Sequence, residues 1–597
     1  MSDILSELDI HLSSLNSISS SETREFTEIK SRLKKAKEKI VRWESIKAMI
    51  WDFGPEMVTD YLEAVDEVRR LEDHLRSISR EGSERHEKII DEAENVLQIA
   101  MARLEQESVH ILLQSGQSSE PNKPFCCCEV NPADEGSVVS ADDDSFHGSS
   151  RRTSCSCSEC EQQQYAPTCL INPEAILILK SIVNVMFAAK YDHEFCEAFV
   201  RTRKEALEDC LINLRMERLS IEELLKMDWP SLECNVKRWT RAIKTFVCVH
   251  LAGEKSLCDQ IFNNHGCTTS ICFVNSTKSS MAYLMNFGEA IALGPRKPEK
   301  LYYLLNIYVV LVGLCPQMDA LFSNDDGSLI RTEFVELVLR FGDSARRAFL
   351  TFGDAVLSDQ SRETVSGGIH SLTNYVMNYF KILPKYRDTI NLLLQNDVVP
   401  VTNHTPEEGF EGSVVAPDTS CLMAFHLRLI TGKLEANLEK KSRLYKDSSL
   451  RHIFLLNNIH YMVQKVRDSE LQHVFGDDWI KTRITNYQSH AKYYVRETWG
   501  SVVAWLRDDS VKSAVKETKE TLKERIRGFN LAIEEAFRRQ RGWCIRDTQL
   551  KDELQASVSQ QVVLAYLGFI KRCRDRDLER HIKYEADELQ KLLSDLF

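Results

Sequence analysis

Apolar residues recur along most of this chain at helical spacing, and segments with the alternating spacing of a strand are almost absent. Near the amino end, Phe26, Leu33 and Ile40 make one row seven apart, and Ile29, Ala36, Trp43 and Ile50 make a second. Two rows at that period form the a/d seam of a coiled coil, so the spacing predicts a long amphipathic helix that needs a partner or a body to lie on. Val65, Val68, Leu71, Leu75 and Ile78, then Ile89, Ala93, Val96, Ala100 and Leu104, predict further helices. Residues 1–114 therefore read as an amino-terminal coiled-coil region of two or three helices.

The rows stop near residue 115 and return after Cys169. Between them, 115–168 is rich in Ser, Asp, Glu, Gly and Cys, a composition that cannot bury a core and reads as a disordered linker. Beyond it, Ile178, Ile182 and Val185, then Phe195, Phe199, Ala206 and Cys210, keep apolar residues on one helical face. The same holds over Leu422 to Leu434, Ile453 to Val466, and Ile526, Phe529, Ile533 and Phe537. The expected fold is all-α: 169–597 as an elongated rod of stacked irregular helical bundles, preceded by the coiled-coil arm. The most apolar run, Leu301 to Cys315, is shorter than the roughly 20 residues that span a bilayer and reads as a buried core helix.

Composition supports this reading. Glycine (23) and proline (14) are scarce in 597 residues, which favours long helices with few turns. The net charge of −13 argues against a nucleic-acid-binding protein. The amino end, "MSDILSELDIHLSSLNSISSSETREF", lacks the layout of a signal peptide, and the expected location is cytoplasmic. In that setting most of the 18 cysteines are expected to be reduced core residues.

Candidate chemistry is thin. Six cysteines lie within 125–160, but Cys157 and Cys160 offer only one ligand pair for zinc and His147 stands alone. S-acylation of the clustered cysteines, or phosphorylation within "SSRRTSCS", suits such a stretch as well. "SNDDGSLIRTEF" has Asn324, Asp326 and Glu333 at calcium-loop spacing, but Phe322 falls at the first ligand position, so it reads as a turn. No phosphate loop, GxSxG or HExxH occurs, so neither an enzyme nor a cofactor is expected. Residues 512–597 hold 18 Lys and Arg against 15 Asp and Glu, net +3 beside −16 for the rest of the chain. Lys571, Arg572, Arg574, Arg576, Arg580 and Lys583 cluster there; on one continuous helix 572, 576, 580 and 583 would share a face able to meet anionic headgroups. A solvated face interleaved with Asp575, Asp577 and Glu579 fits the pattern equally.

Three stretches, "LLNNIHYMVQKVRDSELQHVFGDDWI" (455–480), "FNLAIEEAFRRQRGWCIRDTQLKDELQASVSQQVVLAYLGFI" (529–570) and "RHIKYEADELQKLLSDLF" (580–597), together resemble the seventy-kilodalton exocyst subunit family. "HSLTNYVMNYF" at 370–380 extends the resemblance, which is strongest to the multiplied plant members. It implies a subunit that tethers secretory vesicles to the plasma membrane, without catalysis, recruited peripherally from the cytoplasm. The implied partners are other exocyst subunits, on the coiled-coil seam of Phe26, Ile29, Leu33, Ala36, Ile40 and Trp43, and phosphatidylinositol phosphates, on a carboxyl-terminal bundle at about 512–597. "RHIKY" falls on the family's basic lipid motif, which places Arg580 and Lys583 on the lipid, with Lys571, Arg572 and Arg576 supporting them. A small GTPase or a signalling or autophagy receptor is a further implied partner, and the alternative role is that of an adaptor in autophagy or immune signalling.

Overall fold

The computed structural model describes residues 24–78, 84–114, 171–216, 219, 221–227, 229–263, 265–294, 300–362, 366–395, 422–507, 518–576 and 578–597. The linker expected at 115–168, with its six clustered cysteines, lies outside the described residues. Every long element among those described is helical.

The first helix, α1, covers 24–41. It is followed by α2 (Pro55–Ile78), α3 (Glu84–Gln114), α4 (Pro173–Ala188), α5 (Asp192–Asn213), α6 (Ile221–Lys226), α7 (Trp229–Thr245), α8 (Ala252–Ile261), α9 (Gly266–Leu293), α10 (Leu301–Leu321) and α11 (Ser328–Ser358). The later helices are α12 (Ser371–Phe380), α13 (Arg387–Gln395), α14 (Leu422–Ser442), α15 (Ser448–Arg467), α16 (Leu471–Tyr494), α17 (Gly500–Ala504), α18 (Lys519–Gln540), α19 (Thr548–Arg574) and α20 (Ala586–Ser594). Single π turns at Phe246–Leu251 and Val495–Trp499 carry α7 into α8 and α16 into α17 without a break.

The chain divides into two compact units. The first takes its described residues from 24–114, 171–294 and 310–340. In it α1 is ion-paired to both helices of the α2–α3 hairpin, and α3 in turn packs on α4 and α5. Arg103 of α3 donates to the Ile46 carbonyl at 3.1 Å and Glu107 accepts from Ile50 N–H at 2.8 Å, pinning the turn after α1. Phe195, Phe199 and Phe262 form an aromatic centre with ring centroids 5.2 to 6.4 Å apart. Close to it, Arg203 and Glu254 make a buried bidentate ion pair, 2.8 Å at its shorter contact. Gly288 lets α9 approach Trp239, since a Cβ there would stand 2.7 Å from the indole.

The second unit takes 300–309 and 341–597. Its central contact is α15 against α16, with α12 and α14 beside α15. His370 caps α12 by accepting from Leu372 N–H, and Gly367, at φ +70°, passes so close to Leu450 that a side chain would not fit. Asn457 donates to the Gly367 and Cys544 carbonyls, both at 2.8 Å, so one buried side chain ties two loops. "SGGIHSLTNYVMNYF" is therefore a helix start held by tertiary hydrogen bonds.

Two expectations need correcting. The apolar run at 301–315 belongs to a 21-residue helix, of whose most apolar stretch only one third is buried. Leu301, Leu304, Leu305, Leu311, Leu314 and Met318 face inward, while Val309 and Val312 are exposed. An uninterrupted apolar run hides which face the neighbouring helices cover, so α10 is a half-covered helix. The row Ile178, Ile182, Val185 is also offset: the buried face of α4 is Ile176, Leu179, Ile182, Val183 and Met186. "SNDDG" makes a 3-10 turn at Asp325–Gly327 between α10 and α11, with Gly327 against Phe322.

Candidate functional site

The carboxyl-terminal bundle is assembled from three capped helices. Thr518 caps α18, Asp547 caps α19, and Glu585 with Glu588 forms a capping box on α20. Leu589, Leu593 and Leu596 are buried against α19, and Gln555 donates to the Ser594 and Leu596 carbonyls at 2.8 and 2.7 Å. Lys551 reaches the Phe597 carbonyl at 2.6 Å, and Tyr566 donates to the Tyr584 carbonyl at 2.8 Å. The last residues of the chain are thereby strapped along α19.

The basic residues do not share one helical face. After Arg574 the chain turns to bury Leu578, whose N–H reaches back to the Cys573 carbonyl at 3.0 Å. Arg580 then sits in a 3-10 turn (Glu579–His581) and Lys583 in the strap before α20. A four-four-three spacing puts residues on one face only while the helix continues, and burial of Leu578 ends it.

Their environments differ as well. Arg572 is half-buried, donates to the Leu506 carbonyl at 2.8 Å and lies 5.2 Å from the Phe569 ring centre, so it holds the segment after α17. Arg574 pairs with Glu585 at 3.3 Å, and Arg576 is half-buried. Lys583 pairs with Glu534 of α18, which also accepts from Tyr584. That hydrogen bond holds the Glu534 carboxyl below its ordinary pKa and the Lys583 ammonium above its own. Lys571 and Arg580 are exposed, and among the described residues no carboxylate pairs with either. The sequence reading missed the apolar neighbours of Lys571: Leu564 and Leu567, 63% and 48% exposed, precede it by seven and four residues on the same face of α19. Their i, i+3, i+7 spacing was legible; their exposure was not.

At the amino end, Ile29, Leu33, Ala36, Ile40 and Trp43 are all buried, and Phe26 is half-buried with its ring 5.0 Å from His86. This chain's own α2 and α3 supply the cover: Arg32 pairs with Glu67 at 2.7 Å, Lys37 with Glu92 at 2.6 Å, and Lys39 with Asp60. What α1 presents outward is polar and mainly basic, including Lys30, Lys34 and Lys35. Among the described residues, no three His, Cys, Asp or Glu side chains gather as a metal site.

Comparison with known proteins places this architecture. Residues 32–114 match the family described as "Exocyst complex component Exo70 N-terminal", and 237–595 match the family of the carboxyl-terminal part of the Exo70 exocyst complex subunit. The chain is 37% identical to the Arabidopsis thaliana exocyst complex component EXO70E2, covering 100% of this chain and 91% of that relative. It is 30% identical to EXO70A1 of the same plant, over 91% of this chain and 84% of the relative. Among solved structures, the S. cerevisiae exocyst component Exo70p has the same fold at 15% identity, with a TM-score of 0.52 over 94% of this chain and 98% of that one.

Proposed function

The chain belongs to the Exo70 family of exocyst subunits, and from that premise we propose that it docks secretory vesicles at the plasma membrane by binding phosphoinositide headgroups and other exocyst subunits. The family is one of structural tethering subunits, and the work is mechanical and electrostatic. The observation that carries the lipid reading is the exposed combination on the carboxyl-terminal bundle: Leu564 and Leu567 beside the uncommitted cation of Lys571, with Arg580 also open. Apolar side chains can enter the headgroup boundary while cations meet phosphate, each basic residue adding about 1 kcal/mol at an acidic leaflet. Arg580 and Lys583 supply the primary contacts, Lys583 after exchanging Glu534 for a phosphate. Lys571 adds charge; Arg572 and Arg576 shape the bundle beneath it.

The interface with other exocyst subunits is proposed for the amino-terminal helices. With the Phe26 to Trp43 seam covered by α2 and α3, a partner helix either displaces part of this hairpin or lies on the outer, basic side of α1.

Reversing two charges, Arg580→Glu with Lys583→Glu, is expected to weaken binding to phosphoinositide liposomes by roughly tenfold or more, from about 1 kcal/mol per basic residue. The helical circular dichroism should be unchanged. Undiminished liposome binding by the well-folded double variant would overturn the assignment.

A further inference from the structure

Helix α14 ends at Ser442 and α15 begins at Ser448, and the turn between them is tied down from within. Tyr445 is buried with its ring 5.3 Å from that of Phe454, and Arg451 donates to the Tyr445 carbonyl at 2.8 Å. Asp447 closes the turn by accepting from the Ser449 and Leu450 N–H groups at 2.8 and 3.4 Å. With Tyr445 fixed inward, its neighbour Leu444 is held outward, 63% exposed, between the exposed cations Arg443 and Lys446.

The end of α18 meets this turn, since Arg539 pairs with Asp447 at 3.7 Å, and it carries the exposed Arg538 and Arg541. Segments 439–447 and 535–541 together hold seven Lys and Arg against three Asp and Glu, net +4 in a chain of −13. All three carboxylates are taken: Glu439 by Arg443 at 3.6 Å, Glu535 by Arg538 and Asp447 by Arg539. Lys441 is buried and paired with Asp359 at 3.2 Å. Lys440, Lys446 and Arg541 remain exposed, and among the described residues no carboxylate pairs with them.

We propose that the α14–α15 turn is a second membrane contact, at which Leu444 enters the headgroup boundary of an anionic leaflet while Arg443, Lys446 and Arg541 meet lipid phosphates. A single exposed leucine is ordinary on a protein surface. This one is fixed at the tip of a turn and flanked by cations, which matches a leaflet that offers phosphates first and an apolar boundary behind them. An acidic protein segment would satisfy the cations but leave Leu444 in water. Arg538 follows Glu534, the partner of Lys583, by one turn of α18. The second contact therefore extends the lipid surface proposed above and rests on that reading, while using none of its residues.

The test uses the full-length chain with vesicles of phosphatidylcholine containing phosphatidylserine and phosphatidylinositol bisphosphate. Amide hydrogen exchange over 442–447, read on the unaltered chain, should slow severalfold on these vesicles and not on phosphatidylcholine alone. Leu444→Ser should lower vesicle binding roughly fivefold, and Arg443→Glu with Lys446→Glu roughly tenfold. The replaced side chains are exposed, so circular dichroism should be unchanged. Unslowed exchange in the turn, or turn variants that bind vesicles like the unaltered chain, overturns this inference alone. Normal binding by Arg580→Glu with Lys583→Glu overturns only the earlier assignment. Slowing of the turn by poly-glutamate or inositol hexakisphosphate as strong as by vesicles, with Leu444→Ser without effect, assigns a soluble polyanion and likewise overturns the proposal.

Discussion

At the scale of single residues, the largest energies belong to buried polar groups that only a distant partner satisfies. Arg203 and Glu254 are 51 positions apart and both buried, so removing one leaves an uncompensated charge in the core. Glu254→Ala should cost on the order of 3–5 kcal/mol. A joint replacement, Arg203→Met with Glu254→Leu, should recover most of the loss, and urea unfolding midpoints of the two variants check both statements. Glu534 acts in the opposite sense because it is exposed and holds Lys583 on the protein surface. Glu534→Gln should release the ammonium and strengthen binding to phosphoinositide liposomes a few-fold, measured by sedimentation with vesicles. Weaker binding would show that Lys583 needs this carboxylate for its orientation. Neither pairing was visible in the sequence, because ion pairs between helices depend on packing that local spacing does not encode.

At the scale of elements, the interface of α15 and α16 carries a pH dependence. Nδ1 of His490 on α16 lies 3.0 Å from Nδ1 of His452 on α15, with Tyr493 and Glu497 beside the pair. Burial, and then the nearby His452, lower the His490 pKa from 6.5 to about 4. The unfolded chain therefore binds a proton between pH 6.5 and 4 that the folded chain does not, so stability is present above that window and is lost as pH falls through it. Discounted for the partial exposure of His490, the loss is on the order of 1–2 kcal/mol. Thermal unfolding midpoints should fall between pH 7 and 4.5, and His490→Gln should flatten that fall. Several elements were legible: the rows at 65–78 and 89–104 became α2 and α3, each an amphipathic helix with one buried face, whereas the row expected as one helix over 26–50 is helical only to residue 41, with Trp43 and Ile50 buried in the turns that follow. Less legible were α4 and α10, whose continuous apolar runs left the buried face undetermined.

At the scale of the whole molecule, membership of the Exo70 family gives a tethering role to a chain whose described residues contain no gathered metal ligands. A net charge of −13 opposes approach to an anionic leaflet, so the attachment proposed above rests on the local surface of Lys571, Arg580 and Lys583. Such binding is Coulombic and screened, with a Debye length of about 8 Å at physiological ionic strength and about 3 Å at 1 M. Liposome binding should therefore fall steeply as salt is raised, and substituting Leu564 and Leu567 with Ser should lower the part that survives at high salt. A salt-independent affinity would indicate that the apolar residues dominate.

The sequence by itself determined the helical class, the position of several helices, the turn at Asp325–Gly327 and, through stretches such as 529–570, the family. These follow from residue spacing and local turn chemistry, which act over a few positions. Tertiary structure decided what covers the Phe26 to Trp43 seam, where α19 stops, and which cations of 571–583 remain open. The seam and the open cations rest on partners far away in the chain, α2 and α3 under α1, the Leu506 carbonyl for Arg572 and Glu534 for Lys583, while α19 stops where Leu578 is buried. Charge spacing along a chain shows where cations cluster, but packing decides which of them are left for a ligand.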